Sequence, residues 1–230
     1  AFPQASGVWQ PFMWVLSALT MTVGNVVALR QTNIVRMMAY SSISQGGFVL
    51  MPLAVAGMSE VSASALRSVV VYMLVYAATN LGMFAVIIAV SRKTRSGEIS
   101  SWGGLFSYAP GLAVLATIFL ASLAGIPPLG GWIGKFTAFQ SLLSSGTGWG
   151  YALALIGAVN SVVAFGYYGT IMREMWMKPV PDGDTTRVVV PGSLALALGL
   201  TCVATLAFGV LPGVATHFGD IARITGAFGG

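Results

Sequence analysis

Charge is what this sequence lacks most. Only 7% of its 230 residues are Asp, Glu, Lys or Arg, where a soluble globular domain carries roughly 25%. Hydrophobic residues make up 56% and the mean hydropathy is +0.84, so the chain reads as an integral membrane protein. Cysteine occurs once, at Cys202, which excludes an internal disulfide and leaves a small packing residue in an apolar helix. Histidine also occurs once, at His217, beyond the last apolar run, where it reads as interfacial and solvated. There is no metal-spaced Cys/His set, Walker motif or GxGxxG turn, and a His pair for haem is excluded. The chain is expected to carry no redox centre or cofactor of its own. No signal-peptide pattern is present. The first residue is Ala1 rather than Met, so the sequence reads as part of a longer chain.

What is present are apolar runs of about twenty residues or more, the length of membrane-crossing helices rather than of barrel strands. The expectation is an all-α, polytopic membrane protein forming a single membrane domain over 1–230, with six transmembrane helices. They fall at 10–29, 34–56, 64–90, 108–143, 150–175 and 188–210. The fourth run is too long for one ordinary crossing and is expected to be broken at 125–131.

The few charges sort by loop. If the segments alternate, one face carries Arg30, Arg36, Arg92, Lys93, Arg95, Arg173, Lys178 and Arg187, and the other only Arg67 and Arg223. By the positive-inside rule the first face is cytoplasmic and both termini lie on the outer side. The net charge of +5 is therefore a signal of topology, and nucleic acid is not an expected partner.

One charge remains, Lys135, inside the run GIPPLGGWIGKF. Pro127 and Pro128 remove two backbone donors and clash with the preceding turn, and Gly125, Gly130 and Gly131 let the chain leave helical geometry at low steric cost. Unpaired backbone groups cost several kcal/mol each in hydrocarbon, so such a break must face protein or a hydrated cavity. Lys135 lies four residues past Gly131, about one turn into the second half-helix and near mid-bilayer. An ionisable residue at that depth is a functional-site hypothesis by default, and desolvation brings the two protonation states of an amine closer together, which proton exchange requires. A lysine snorkelling to the interface is the bland alternative. The only carboxylate within these runs, Glu174, falls at the end of the fifth, so none lies near mid-bilayer to pair with it.

Other polar residues cluster. Tyr40, Ser41, Ser42, Ser44 and Gln45 fall together, and Tyr72, Tyr76 and Asn80, with Thr79, form an i, i+4, i+8 stripe. Such groups can line a water file or act as interhelical glue. Asn25 and Asn160 read as packing residues.

Three runs, ALRQTNIVRMMAYSSISQGGF, YAATNLGMFAV and FLASLAGIPPLGGWIGKF, occur in that order. Together they resemble the antiporter-like, proton-translocating membrane subunits of NADH–quinone oxidoreductase (respiratory complex I), most of all the subunit N group. The resemblance covers essentially the whole chain. It implies half of an inverted-repeat antiporter-like fold, corresponding to about helices nine to fourteen of that family's fourteen. It also implies that Lys135 is the proton-exchange group towards the outer side. Gly125, Pro127, Pro128, Tyr40, Ser41, Ser44, Gln45, Tyr76 and Asn80 are the expected path or cavity lining. NAD, FMN, iron–sulfur clusters and quinone would belong to partner subunits. The expected surroundings are other membrane subunits, lipid and internal water in the inner cell membrane. Two positions depart from the pattern: Asn33-Ile34-Val35-Arg36 lacks a lysine many relatives have, and Gln45 stands where some have histidine. Glutamine can hold water but cannot titrate. A subunit of a multisubunit cation/proton antiporter or of a membrane-bound hydrogenase is the alternative, and a purely structural scaffold a third.

Overall fold

The computed structural model describes residues 5–221; Arg223 lies outside the described residues. Among these the regular structure is helical: α1 (Ser6–Ala28), α2 (Ile34–Leu50), α3 (Ser62–Thr94), α4 (Leu105–Tyr108), α5 (Pro110–Ala124), α6 (Gly130–Ser144), α7 (Gly148–Met177), α8 (Gly192–Val210) and α9 (Pro212–Ile221). Short 3-10 turns cover Met51–Val55 and Ile99–Trp102.

Local chemistry sets the ends. The Asn33 side chain caps α2 by accepting from the amides of Val35 and Arg36 at 3.1 and 3.2 Å. At the other end of α2, Pro52 cannot supply the N–H that the Phe48 carbonyl would take, and the chain tightens so that the Met51 amide bonds Phe48 instead. Pro110 opens α5 from its first position, where a missing donor is harmless. The same property explains α9. Pro212-Gly213 reads from sequence as the end of the last helix, but proline is equally suited to start one. His217 consequently sits on α9, exposed as expected.

Four helices, α1, α3, α7 and α8, are long and apolar enough to cross a membrane on length and composition. The six expected runs exceed that number for two reasons. The second run is divided by Pro52 into a 17-residue helix and a 3-10 turn. The fourth is divided into α5 and α6, of 15 residues each.

The longest helix, α3, is the central post. It packs against α2, α5, α6, α8 and α9, and 50% of its apolar stretch is buried against 22% for α8. Helices α1 and α2 pair closely because both carry glycine at the contact. A Cβ on Gly24 would stand 2.7 Å from the Ser44 amide, and one on Gly47 the same distance from that of Met21.

At one end of the bundle the loops are tied together. The amide of Ile34 donates to Gly97 O, that of Ile99 to Thr32 O, and that of Gly104 to Glu174 O. Lys93 reaches the loop after α7, donating to Asp184 O at 2.8 Å with the Asp184 carboxylate 3.8 Å away. These ties gather the loops bearing Arg30, Arg36, Arg92, Lys93, Arg95, Lys178 and Arg187 at one end. At the opposite end Arg67 pairs with Asp220 at 3.1 Å.

Candidate proton-exchange site

The site is built by two missing donors. In a continuous helix the carbonyls of Leu123 and Ala124 would accept from residues four positions on. Those residues are Pro127 and Pro128, which have no N–H. Helix α5 therefore ends at Ala124, and Gly125 closes it in the left-handed region at φ 91°. Its amide bonds the carbonyls of Ala121 and Ser122, leaving those of Leu123 and Ala124 for other partners.

Both carbonyls are taken by side chains from elsewhere. Lys135 Nζ donates to Ala124 O at 2.8 Å, and Gln45 Nε2 donates to Leu123 O at 3.1 Å. The end of a helix carries about half a negative charge, so the amine rests on an electronegative seat. Lys135 is 5% exposed, and its Nζ lies 4.8 Å from the centre of the Phe48 ring. Among the described residues it forms no ion pair. A carbonyl oxygen holds the amine by accepting its hydrogen bond and, unlike a carboxylate, neither pairs its charge nor takes its proton.

Gln45 is the hub behind this seat. Its Oε1 accepts from the Tyr72 hydroxyl and its Nε2 also reaches Tyr168 Oη at 3.3 Å, while Tyr168 pairs with Ser41 Oγ. Below the break, Ser122 Oγ accepts from the Gly131 amide at 2.9 Å and joins Thr79, which reaches Thr205 of α8. Between Gln45, Tyr72, Tyr76, Thr79, Ser122 and Gly134 a small cavity has room for about one water.

The expected lining residues divide. Gln45 and Tyr76 face this cavity, and Ser41 joins the network through Tyr168. Asn80 continues the α3 stripe with its Oδ1 buried and without a hydrogen-bond partner among the described residues. Ser44 lies instead against Gly24 of α1, and Tyr40 packs on an apolar cluster between the helices. Gly125 lies under the lysine stem: a Cβ there would come within 2.8 Å of Lys135 Cδ. Pro127 and Pro128, joined by a cis peptide bond, have exposed side chains. They shape the site through the backbone donors they lack and do not line its cavity. Ser122, Phe48 and the two carbonyls were not singled out from sequence, although counting four residues back from each proline identifies Leu123 and Ala124.

A second buried polar cluster joins α1 to α7. Asn25 Nδ2 donates to both the backbone and side-chain oxygens of Asn160 at 2.9 Å, and Asn25 Oδ1 accepts from Tyr167. Asn160 Nδ2 donates to Ile156 O and Thr22 Oγ1. Every amide position is satisfied within the cluster.

The family described as NADH:quinone oxidoreductase/Mrp antiporter, TM, matches residues 1–163, which include the break and Lys135. The chain is 39% identical to NADH-quinone oxidoreductase subunit N of Trichlorobacter lovleyi over 95% of its length, and 41% identical to subunit N 2 of Solibacter usitatus over 90%. It spans 43% and 41% of those proteins. Among solved structures, it superposes on a chain of respiratory complex I from Thermus thermophilus with a TM-score of 0.70 at 27% identity, covering 90% of this chain and 45% of that one. A chain of the Mrp complex from Dietzia gives 0.83 at 20% identity, covering 95% and 47%, a likeness of fold alone. The resemblance read from the motifs thus holds, and the chain belongs to the NADH:quinone oxidoreductase/Mrp antiporter transmembrane family.

Proposed function

We propose that this chain is the proton-exchanging part of a subunit N-type membrane subunit of NADH–quinone oxidoreductase. In this reading α5 and α6 form one interrupted crossing, α2 with its 3-10 turn forms another, and six crossings result. The basic end faces the cytoplasm and both termini the outer side of the inner cell membrane. The observation that carries the proposal is the seat of Lys135: a buried amine held by a carbonyl that Pro128 leaves free, at the junction of two half-helices. Broken helices of this kind place ion sites at membrane depth.

Protons reach and leave Lys135 through internal water. Tyr72, Tyr76, Thr79 and Ser122 supply hydrogen-bonding walls and Gln45 holds the end of α5 in place. NAD, FMN, iron–sulfur clusters and quinone act in partner subunits, and quinone reduction there drives the exchange. Subunit N relatives at 39% and 41% identity favour this assignment over a cation/proton antiporter. The Mrp likeness in fold keeps the antiporter as the second reading.

Purification of the tagged full-length subunit from its native membrane tests the assignment. Flavin and iron–sulfur subunits should accompany it, and the reconstituted assembly should acidify one compartment on NADH addition without Na⁺. Recovery with other membrane subunits alone, with Na⁺-dependent exchange and no NADH oxidation, would establish the antiporter reading instead.

A further inference from the structure

Helix α8 is the least buried of the four long apolar helices, yet one turn of it lies against the break. Its buried residues are Leu198, Thr205 and Phe208, and of these only Thr205 is polar. Thr205, Phe208 and Gly209 share one face of that turn, at i, i+3 and i+4. A Cβ on Gly209 would come within 1.9 Å of Pro128 O and 2.5 Å of Leu129 C, so backbone rests on backbone there. A Cβ on Gly130 would stand 3.0 Å from Thr205 O and 3.3 Å from Phe208 Cβ. Phe208 also shares a buried apolar cluster with Ile133 of α6. Thr205 Oγ1 meets Thr79 Oγ1 at 3.3 Å, Thr79 meets Ser122 Oγ at 3.2 Å, and Ser122 accepts from the Gly131 amide. All three hydroxyl side chains are buried.

These contacts bear on Lys135 because of where they act. Lys135 lies four residues past Gly131, about one helical turn, so it moves with the start of α6. Its Nζ rests on Ala124 O at the end of α5, at 2.8 Å. That bond holds only while the two half-helix ends keep their spacing, and about 0.5 Å of separation takes it past the ordinary range.

We propose that α8 is the clamp on this break, with Thr205 and Gly209 as positioning residues that fix the start of α6 against the end of α5. The clamp stands on the contacts of α8; its consequence for proton movement rests on the proposed role of Lys135. Gly209 lets α8 approach the Pro128-Leu129 backbone, which no residue with a Cβ could do in this position. Thr205 fastens that approach through Thr79, whose hydroxyl also holds Ser122 at the end of α5. Interhelical glue with no bearing on Lys135 is the competing reading.

The test uses Gly209→Ala, Thr205→Val and Thr205→Ser, each in the assembled membrane complex. Gly199→Ala, on the same helix with open space around the glycine, is the control. Variants are compared at equal amounts of assembled subunit. Two quantities are read: the rate of reductive methylation of Lys135 in the intact complex, followed by mass spectrometry, and protons moved per quinone reduced. The clamp predicts methylation about fivefold faster in Gly209→Ala and Thr205→Val, the change that one net hydrogen bond makes in an open population. Thr205→Ser and Gly199→Ala should keep the original rate, and proton movement should fall only in the first two. Unchanged methylation in both Gly209→Ala and Thr205→Val would overturn the proposal, as would an equal rise in Gly199→Ala. Should Gly209→Ala fail to assemble, equal rates in Thr205→Val and Thr205→Ser would overturn it alone. Faster methylation with proton movement intact would uphold the clamp and fail the assignment of Lys135 to proton exchange.

Discussion

Two polar clusters are buried in this bundle, and they differ in what completes their hydrogen bonds. Around Asn25 and Asn160 each amide finds its partner within the cluster or on a neighbouring carbonyl, and no charge is present. Around Lys135 the network ends on two carbonyls that have lost their helical donors, contains an ionisable amine, and encloses space for about one water. Buried polarity is common to both, so polarity does not mark function. What marks it is an exchangeable charge on an acceptor that the backbone itself cannot satisfy. The first cluster is a clasp between α1 and α7; the second is, on the proposed reading, where a proton is held and released.

The sharpest way to break this contrast is to remove the geometry under the lysine. Gly125→Val forces a β-branched residue to φ 91° and drives its side chain into the Lys135 stem. Strain and overpacking together should cost about 2–6 kcal/mol. Less assembled subunit and a lower melting temperature are expected, along with reduced proton movement in whatever assembles. A variant of normal stability and normal proton movement would show that the seat is not confined as described.

A matched pair then separates clasp from site. Gln45→Leu and Asn25→Leu each orphan buried groups and should each destabilise by about 1–3 kcal/mol, readable as similar losses of thermal stability. Only Gln45→Leu, which releases Leu123 O and the end of α5, should also lower protons moved per quinone reduced. Equal effects of the two on that ratio would erase the distinction.

The smallest effect is expected at the basic end. Lys93→Ala frees the loop after α7 by removing its bonds to Asp184 O and Thr186 O. Faster amide exchange over residues 180–187 should follow, with proton movement unchanged. Hydrogen bonds from Thr186, chiefly from its backbone amide, lower the Asp184 pKa. Its contribution to holding the loop is therefore complete above the ordinary carboxylate range and is lost as pH falls through the lowered value. Protection of this loop relative to the intrinsic exchange rate at each pH should fall in acid, and less so once Asp184→Asn has removed the titrating group.

Much of the site was legible in the residues. Two adjacent prolines followed by a lysine one turn into the next helix mark the break and the charge, and counting back from the prolines marks the open carbonyls. What sequence could not give is who fills them. Gln45 and Tyr168 are 123 positions apart and meet only because α2 and α7 pack across the same helix end. Ser44, one residue from Gln45, turns to α1 instead, since successive helical residues point about 100° apart. Helix α9 was hidden by the ambiguity of proline, which ends one helix and starts another with the same missing donor. The crossing pattern was harder to read than the site because Pro52 and the Pro127-Pro128 pair cut two apolar runs below the length of a single span.

The most direct test of the central claim is the number of protons moved per quinone reduced by the assembled complex carrying Lys135→Ala. With the amine gone, Ala124 O keeps its place but nothing beside it can exchange a proton, and proton movement through this subunit should be lost while the complex still assembles. Assembly with an unchanged proton-to-quinone ratio would contradict the account and reduce Lys135 to a structural lysine.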